Sequence, residues 1–213
     1  MKTASRVHGN IRLNAGLALA AAGLLAACSG GSSSGTQYTQ TSAGCAALSG
    51  KTVDASLLGA PSTGALVTSA TYVNAVPDAV NAAGTGITQG LPDYCKLLID
   101  IKPVDATAPT TKVQVNLPTA WNGKKLQLGG GGFNGTLVTG LNAASTAPFD
   151  VPLPLARGYM TAGTDSGHQA SSYPEAQGFA LNNEALLNFA YGAYKNTHDV
   201  AVQAALTYYG VKP

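Results

Sequence analysis

Charge is scarce in this chain. Only 12 Lys and Arg and 10 Asp and Glu are spread over 213 residues, and the formal net charge is +2. That balance offers no basic patch, which excludes a nucleic-acid partner held by phosphate neutralisation. Long apolar runs are missing as well. The longest, Leu13 to Ala27, falls short of the roughly 20 residues that a bilayer span requires. No glycine run ends in Gly-Lys-Ser/Thr, which excludes a phosphate-binding P-loop. A usable nucleophile elbow is also lacking. The one G-x-S-x-G is Gly31-Ser32-Ser33-Ser34-Gly35, in a Ser/Gly stretch that cannot form the tight strand-to-helix turn this motif needs.

What is present begins with an export signal. Lys2, Arg6 and Arg12 precede the Leu/Ala/Gly run 13–27, and the run ends in Leu25-Ala26-Ala27-Cys28. Basic start, apolar centre and small-residue cleavage box read as a lipoprotein signal peptide over residues 1–27, with acylation at Cys28. An ordinary signal peptide followed by an incidental cysteine is the other reading. Ser29 behind the lipid site points to delivery to the outer membrane or periplasm rather than retention at the inner membrane. Residues 28–44 are rich in Ser, Gly, Thr and Gln and read as a tether. The domain then runs from 45 to 213. Its apolar share, within 45% for the whole chain, is too high for disorder. With Cys28 lipidated, Cys45 and Cys95 are left either to pair in an oxidising compartment or to stay as buried thiols.

Strand-like runs cover 65–73, 96–101, 112–117, 125–128 and 157–164, with Val-Gln-Val-Asn-Leu at 113–117 showing the clearest alternation. From 184 onward the apolar spacing becomes helical. Asn182 or Asn183 serves as N-cap, a break is expected near Asn196, and Gly210 closes the helix. Strands followed by strand–helix alternation predict an α/β fold with a mixed sheet.

Leu128 runs directly into Gly129-Gly130-Gly131-Gly132-Phe133-Asn134-Gly135. Glycines directly after a strand let backbone N–H groups approach a ligand atom, which is how an ester hydrolase supplies one oxyanion-hole donor. Gly130, Gly132 and Gly135 also fit the dinucleotide pattern G-x-G-x-x-G. The residues that follow, 136–145, include Gly140 and β-branched positions and make a poor cradle helix. The second cluster is Thr164-Asp165-Ser166-Gly167-His168. Adjacent residues on an extended chain face opposite ways, so these cannot form a triad among themselves, and they lack further ligands for a metal. Asp165 is expected to accept backbone N–H groups, and His168 to lie beside the site mouth. His198, on the long helix, is expected to be a partly exposed packing residue.

Taken in order, Cys45-Ala46-Ala47-Leu48, Pro92-Asp93-Tyr94-Cys95, Leu117-Pro118 with Trp121-Asn122-Gly123, Gly129 to Gly135, Thr164 to His168, and the run from Phe179 through Tyr191 to Tyr209-Gly210 resemble the tannase/feruloyl-esterase family of α/β-hydrolases. That family also contains mono(2-hydroxyethyl) terephthalate hydrolases. The resemblance implies a serine hydrolase of aromatic-acid esters with a Ser-Asp-His triad. It places an oxyanion donor at Gly130 or Gly131, Asp165 and His168 beside the site, and a Cys45–Cys95 bridge. The family's Cys-Ser-x-Gly-Gly elbow, its acid and base, and a lid with a structural calcium all belong beyond Pro213. The expectation is therefore an incomplete α/β-hydrolase sheet: the N-terminal portion of an exported enzyme, without catalytic residues of its own and with no cofactor. Its partners would be an aromatic ester in the full-length relative and a membrane through the lipid anchor. The other expectation is a non-catalytic, lipid-anchored envelope protein that binds an aromatic ligand or a protein partner.

Overall fold

The computed structural model describes residues 40–143, 148, 150–170 and 175–213. The expected signal peptide, Cys28, the Gly31–Gly35 match and most of the expected tether lie outside the described residues.

The first helix, α1, spans Ser42–Ala46, and the Thr41 hydroxyl caps it by accepting from the Gly44 N–H at 3.2 Å. It therefore begins three residues ahead of the domain start drawn from composition. Among the described residues eight strands follow: β1 (Thr52–Val53), β2 (Gly64–Val73), β3 (Ala79–Val80), β4 (Ile87–Thr88), β5 (Tyr94–Lys102), β6 (Thr111–Pro118), β7 (Lys125–Gln127) and β8 (Met160–Thr164). Six of them form one sheet in the order β1-β2-β5-β6-β8-β7, while β3 and β4 make a separate hairpin. All neighbours in the large sheet are antiparallel except β7 and β8, which run parallel. The mixed sheet expected from the sequence is the observed one. The run expected to begin at Arg157 becomes strand only at Met160, because Arg157 and Gly158 close a turn on Leu153 to Leu155.

Alternation decides which faces are buried. Cys95, Leu97, Ile99 and Ile101 of β5 point into the core with Val113, Val115 and Leu117 of β6. The opposite face of β6 is covered too, since Gln114 and Asn116 are buried, and all five residues of β8 are buried. The polar ones are satisfied: Asn116 Nδ2 donates to the Thr161 hydroxyl at 2.9 Å and to the Thr139 carbonyl at 2.8 Å. Cys45 and Cys95 form a disulfide that joins α1 to β5, with 5.5 Å between the Cα atoms. The bridge thus reaches the second long strand of the sheet, β2 being the first.

One long helical segment packs on the sheet. It comprises α2 (Asn183–Leu187), a π turn (Asn188–Gly192) and α3 (Ala193–Tyr209), after a 3-10 stretch at Glu175–Leu181. Asn182 is its N-cap, accepting from the Ala185 N–H at 2.9 Å, and Gly210 ends it at φ 79°. Val200, Ala201, Ala204 and Ala205 bury against the sheet core. The break expected near Asn196 does not occur. Asn196 is buried, and its side chain leaves the helix surface to bond the Ala60 N–H at 2.9 Å and the Ala60 carbonyl at 3.3 Å. The irregularity lies earlier, in the π turn. At the far end Tyr209 stacks on Trp121 at 4.3 Å and donates to the Pro118 carbonyl at 2.8 Å. The indole donates to the Lys124 carbonyl, so this corner holds the chain as it enters β7.

Candidate active site: a glycine loop pinned from beneath

Leu128 extends the β7–β8 ladder with an N–H bond to the Ala162 carbonyl at 2.9 Å. The ladder then stops, and residues 129–133 lie exposed. Among the described residues the N–H groups of Gly130, Gly131 and Gly132 donate to nothing. The chain turns back through Gly132 at φ 57°, Asn134 at φ 42° and Gly135 at φ 78°. Gly135 has no alternative there, since a Cβ on it would run into the Ala170 carbonyl. At Gly131 and Gly132, by contrast, a Cβ would meet nothing within 4 Å among the described residues.

The loop is held by its own Asn134. That side chain donates to the Thr164 carbonyl at 3.1 Å and to the Ser166 hydroxyl at 2.9 Å. Ser166 in turn meets the Tyr194 hydroxyl at 2.8 Å. The Tyr194 ring lies under Gly129, where an added Cβ would touch it at 3.6 Å. Ser166 itself takes a left-handed φ of 67°, the strained kind of backbone that a hydrogen-bonded site can hold in place. The π turn permits this packing. Its wider turn brings Asn188 and Ala193, five apart, against Gly167, whose Cβ would lie 2.6 Å from the Asn188 Cβ.

Asp165 is 1% exposed. Its carboxylate takes the Lys112 N–H at 3.2 Å, the Gly167 N–H at 2.9 Å and the Gln169 amide at 2.6 Å. Burial pushes the carboxyl up from its ordinary value, while these donors and the neighbouring His168 oppose the shift. Ser166 bonds Tyr194 and Asn134, not His168, so the local Asp-Ser-His sequence forms no triad. His168 is 3% exposed and packs on Phe179 at 4.7 Å. His198 is exposed and lies 2.8 Å from the Lys125 ammonium. Burial and then that positive charge push its imidazole down from the ordinary value. No group of three or more metal-ligating side chains occurs among the described residues.

A groove of about 610 Å³ runs between β7 and the segment from Leu137 to Ala143, lined among others by Leu126, Gln127, Gly129, Val138 and Asn142. Among the described residues no strand pairs with the outer edge of β7. A strand terminating at open backbone amides, with a groove alongside, is the kind of frame on which acyl-transfer chemistry stabilises a developing oxyanion.

Residues 95–213 match the family described as tannase and feruloyl esterase. The chain belongs to this family. An uncharacterized esterase of Agrobacterium fabrum is 44% identical over 163 residues, which is 76% of this chain and 28% of that esterase. The mono(2-hydroxyethyl) terephthalate hydrolase of Piscinibacter sakaiensis is 27% identical over 158 residues, covering 70% of this chain and 25% of the hydrolase. Feruloyl esterase B from Aspergillus oryzae shares the fold, with a TM-score of 0.53 at 22% identity, over 79% of this chain and 30% of its own. The chain thus spans little more than a quarter of the tannase-family relatives it matches. Sequence reasoning found the glycine loop of this tannase-family domain but missed its fastening through Asn134, Ser166 and Tyr194. Asn134, directly before the turn-forming Gly135, was the available signal.

Proposed function

We propose that this chain forms the front portion of a carboxylic ester hydrolase acting on aromatic-acid esters, to which it contributes the oxyanion cradle. One observation carries the reading. The N–H groups of Gly130, Gly131 and Gly132 donate to nothing among the described residues, on an exposed loop that Asn134 fastens to the end of β8. Gly130 or Gly131 would supply the donor. Asp165 and His168 would brace the loop from behind. The outer edge of β7 would receive the strand that leads to a Cys-Ser-x-Gly-Gly elbow, and the sheet over residues 40–213 is then incomplete without it. Neither His168 nor His198 bonds a hydroxyl among the described residues, which supports the reading that the chain alone does not turn over an ester. Export with a lipid on Cys28, into the outer membrane or periplasm, completes the proposal.

The test is a chimera. Residues 40–213 replace the aligned segment of the Agrobacterium esterase, and the hydrolysis of an aryl ester is followed beside the parent and the 213-residue chain alone. The chimera should turn over and the lone chain should not. Replacing whichever of Gly130 and Gly131 donates with proline removes the N–H and should cost about 10²–10³ in kcat. Turnover by the lone chain, or a chimera indifferent to both prolines, would refute the assignment.

A further inference from the structure

Lys125 keeps unusual company for a lysine. Its ammonium, on β7, lies 2.8 Å from Nδ1 of His198 on α3. An ammonium can only donate, so Nδ1 accepts and the imidazole proton sits on Nε2. The Gln127 amide oxygen stands further off, at 3.5 Å. Lys112 and Lys195 each hold a carboxylate, Asp100 at 2.7 Å and Asp199 at 2.6 Å. Lys125 makes no such ion pair among the described residues.

The surroundings favour a neutral amine. Lys125 is partly buried, and burial pushes its ammonium down from the ordinary value, with Asp199 opposing. The His198 imidazole is pushed down as well, by burial, by Lys125 and by Lys195, again against Asp199. Asp199 is already engaged by Lys195 and by the Gly59 N–H at 2.7 Å. From β8, which pairs with β7, Met160 to Thr164 bring no charge.

We infer that Lys125 is a covalent acylation site, with His198 as its base, for acyl groups carried by aryl esters. Once the ammonium has given one proton to water, Nζ keeps a hydrogen bond to Nδ1 and turns a lone pair outward. The imidazole stands within the reach that a general base needs, and a desolvated lysine is a competent nucleophile. Attack of Nζ on the ester carbonyl forms a C–N bond, and the C–O bond to the aryl group breaks. The phenoxide leaves with the electron pair of that bond. Nδ1 takes the surplus proton from the attacking nitrogen and passes it to the phenoxide. The product is an amide, which resists hydrolysis, so the reaction happens once per chain and is not turnover. The site lies at the start of β7, whereas the oxyanion cradle follows its end, and neither depends on the other.

Peptide mass mapping of the 213-residue chain treated with p-nitrophenyl acetate tests the site. Lys124, adjacent and exposed, is the internal reference. Lys125 should be acetylated about 10²-fold faster than Lys124, the low end of what a positioned base supplies. In His198→Gln, which keeps an acceptor but cannot take the proton, that advantage should vanish. A second readout needs no variant. In the unmodified chain the rate at Lys125 should level off below pH 10.5, the ordinary lysine value. Equal acetylation of the two lysines, an advantage that survives in His198→Gln, or a Lys125 rate still rising above pH 10.5 would each overturn the inference.

Discussion

The side chain of Asn134 occupies the space that a methyl group on Gly130 would need. The two residues are therefore one device: the absent side chain admits the amide, and the amide holds the loop.

Gly130→Ala should drive Asn134 off the Thr164 carbonyl and the Ser166 hydroxyl and lower stability by about 1–3 kcal/mol in urea unfolding. Gly131→Ala, with nothing within 4 Å of its Cβ, should cost less than about 0.5 kcal/mol. Equal costs at the two positions would mean the loop is not fastened as described.

The disulfide closes a loop of sequence separation 50, and both cysteines are fully buried. Replacing Cys45 and Cys95 together with alanine should remove about 2–4 kcal/mol. It should also make the denaturation midpoint insensitive to dithiothreitol, which in the unmodified chain should lower it.

Tyr208 and Tyr209 adjoin but should respond oppositely. The Tyr208 hydroxyl is buried without a hydrogen bond among the described residues, whereas that of Tyr209 reaches the Pro118 carbonyl. Tyr208→Phe should be neutral or stabilise by up to about 1 kcal/mol at pH 7, and Tyr209→Phe should cost about 1 kcal/mol. Burial, with a smaller contribution from Tyr72, pushes Tyr208 from 10.0 up to about 12. Between those values the unfolded chain sheds this proton and the folded one keeps it. Stability is then complete below the unfolded value and declines as pH rises towards the folded one. A urea midpoint followed from pH 9 to 12 should fall less steeply in Tyr208→Phe.

The free edge of β7 should pair with other copies of the chain, as unprotected strands do. Sedimentation velocity should show concentration-dependent association that Leu126→Lys reduces. Val80→Lys, at an exposed position on the β3–β4 hairpin, should not reduce it.

The strands and the helix caps were legible because their signals are local. Alternation at Val113, Val115 and Leu117 and the residues Asn182 and Gly210 each act within a turn or two of themselves. The glycine loop was legible for the same reason. The fastening of that loop was not, since Asn134, Ser166 and Tyr194 meet only after the crossover from β7 to β8 and the helix have packed. Asn196 misled because a mid-helix asparagine ordinarily weakens a helix, and its compensation, the Ala60 backbone, lies 136 residues away. The π turn leaves no trace in apolar spacing that a one-residue slip could not equally explain.

That loose turn also lies between two separately docked halves of one helix. Ahead of it, Glu184 bonds the backbone of Val104 and Asp105; behind it, Tyr194 reaches Ser166. A π turn takes up about one residue more than an α turn, so deleting a single residue from 188–192 would restore regular winding and leave the halves in nearly the same phase. Both dockings would survive such a shortening, and the loss would be confined to the wide turn that seats Asn188 and Ala193 against Gly167.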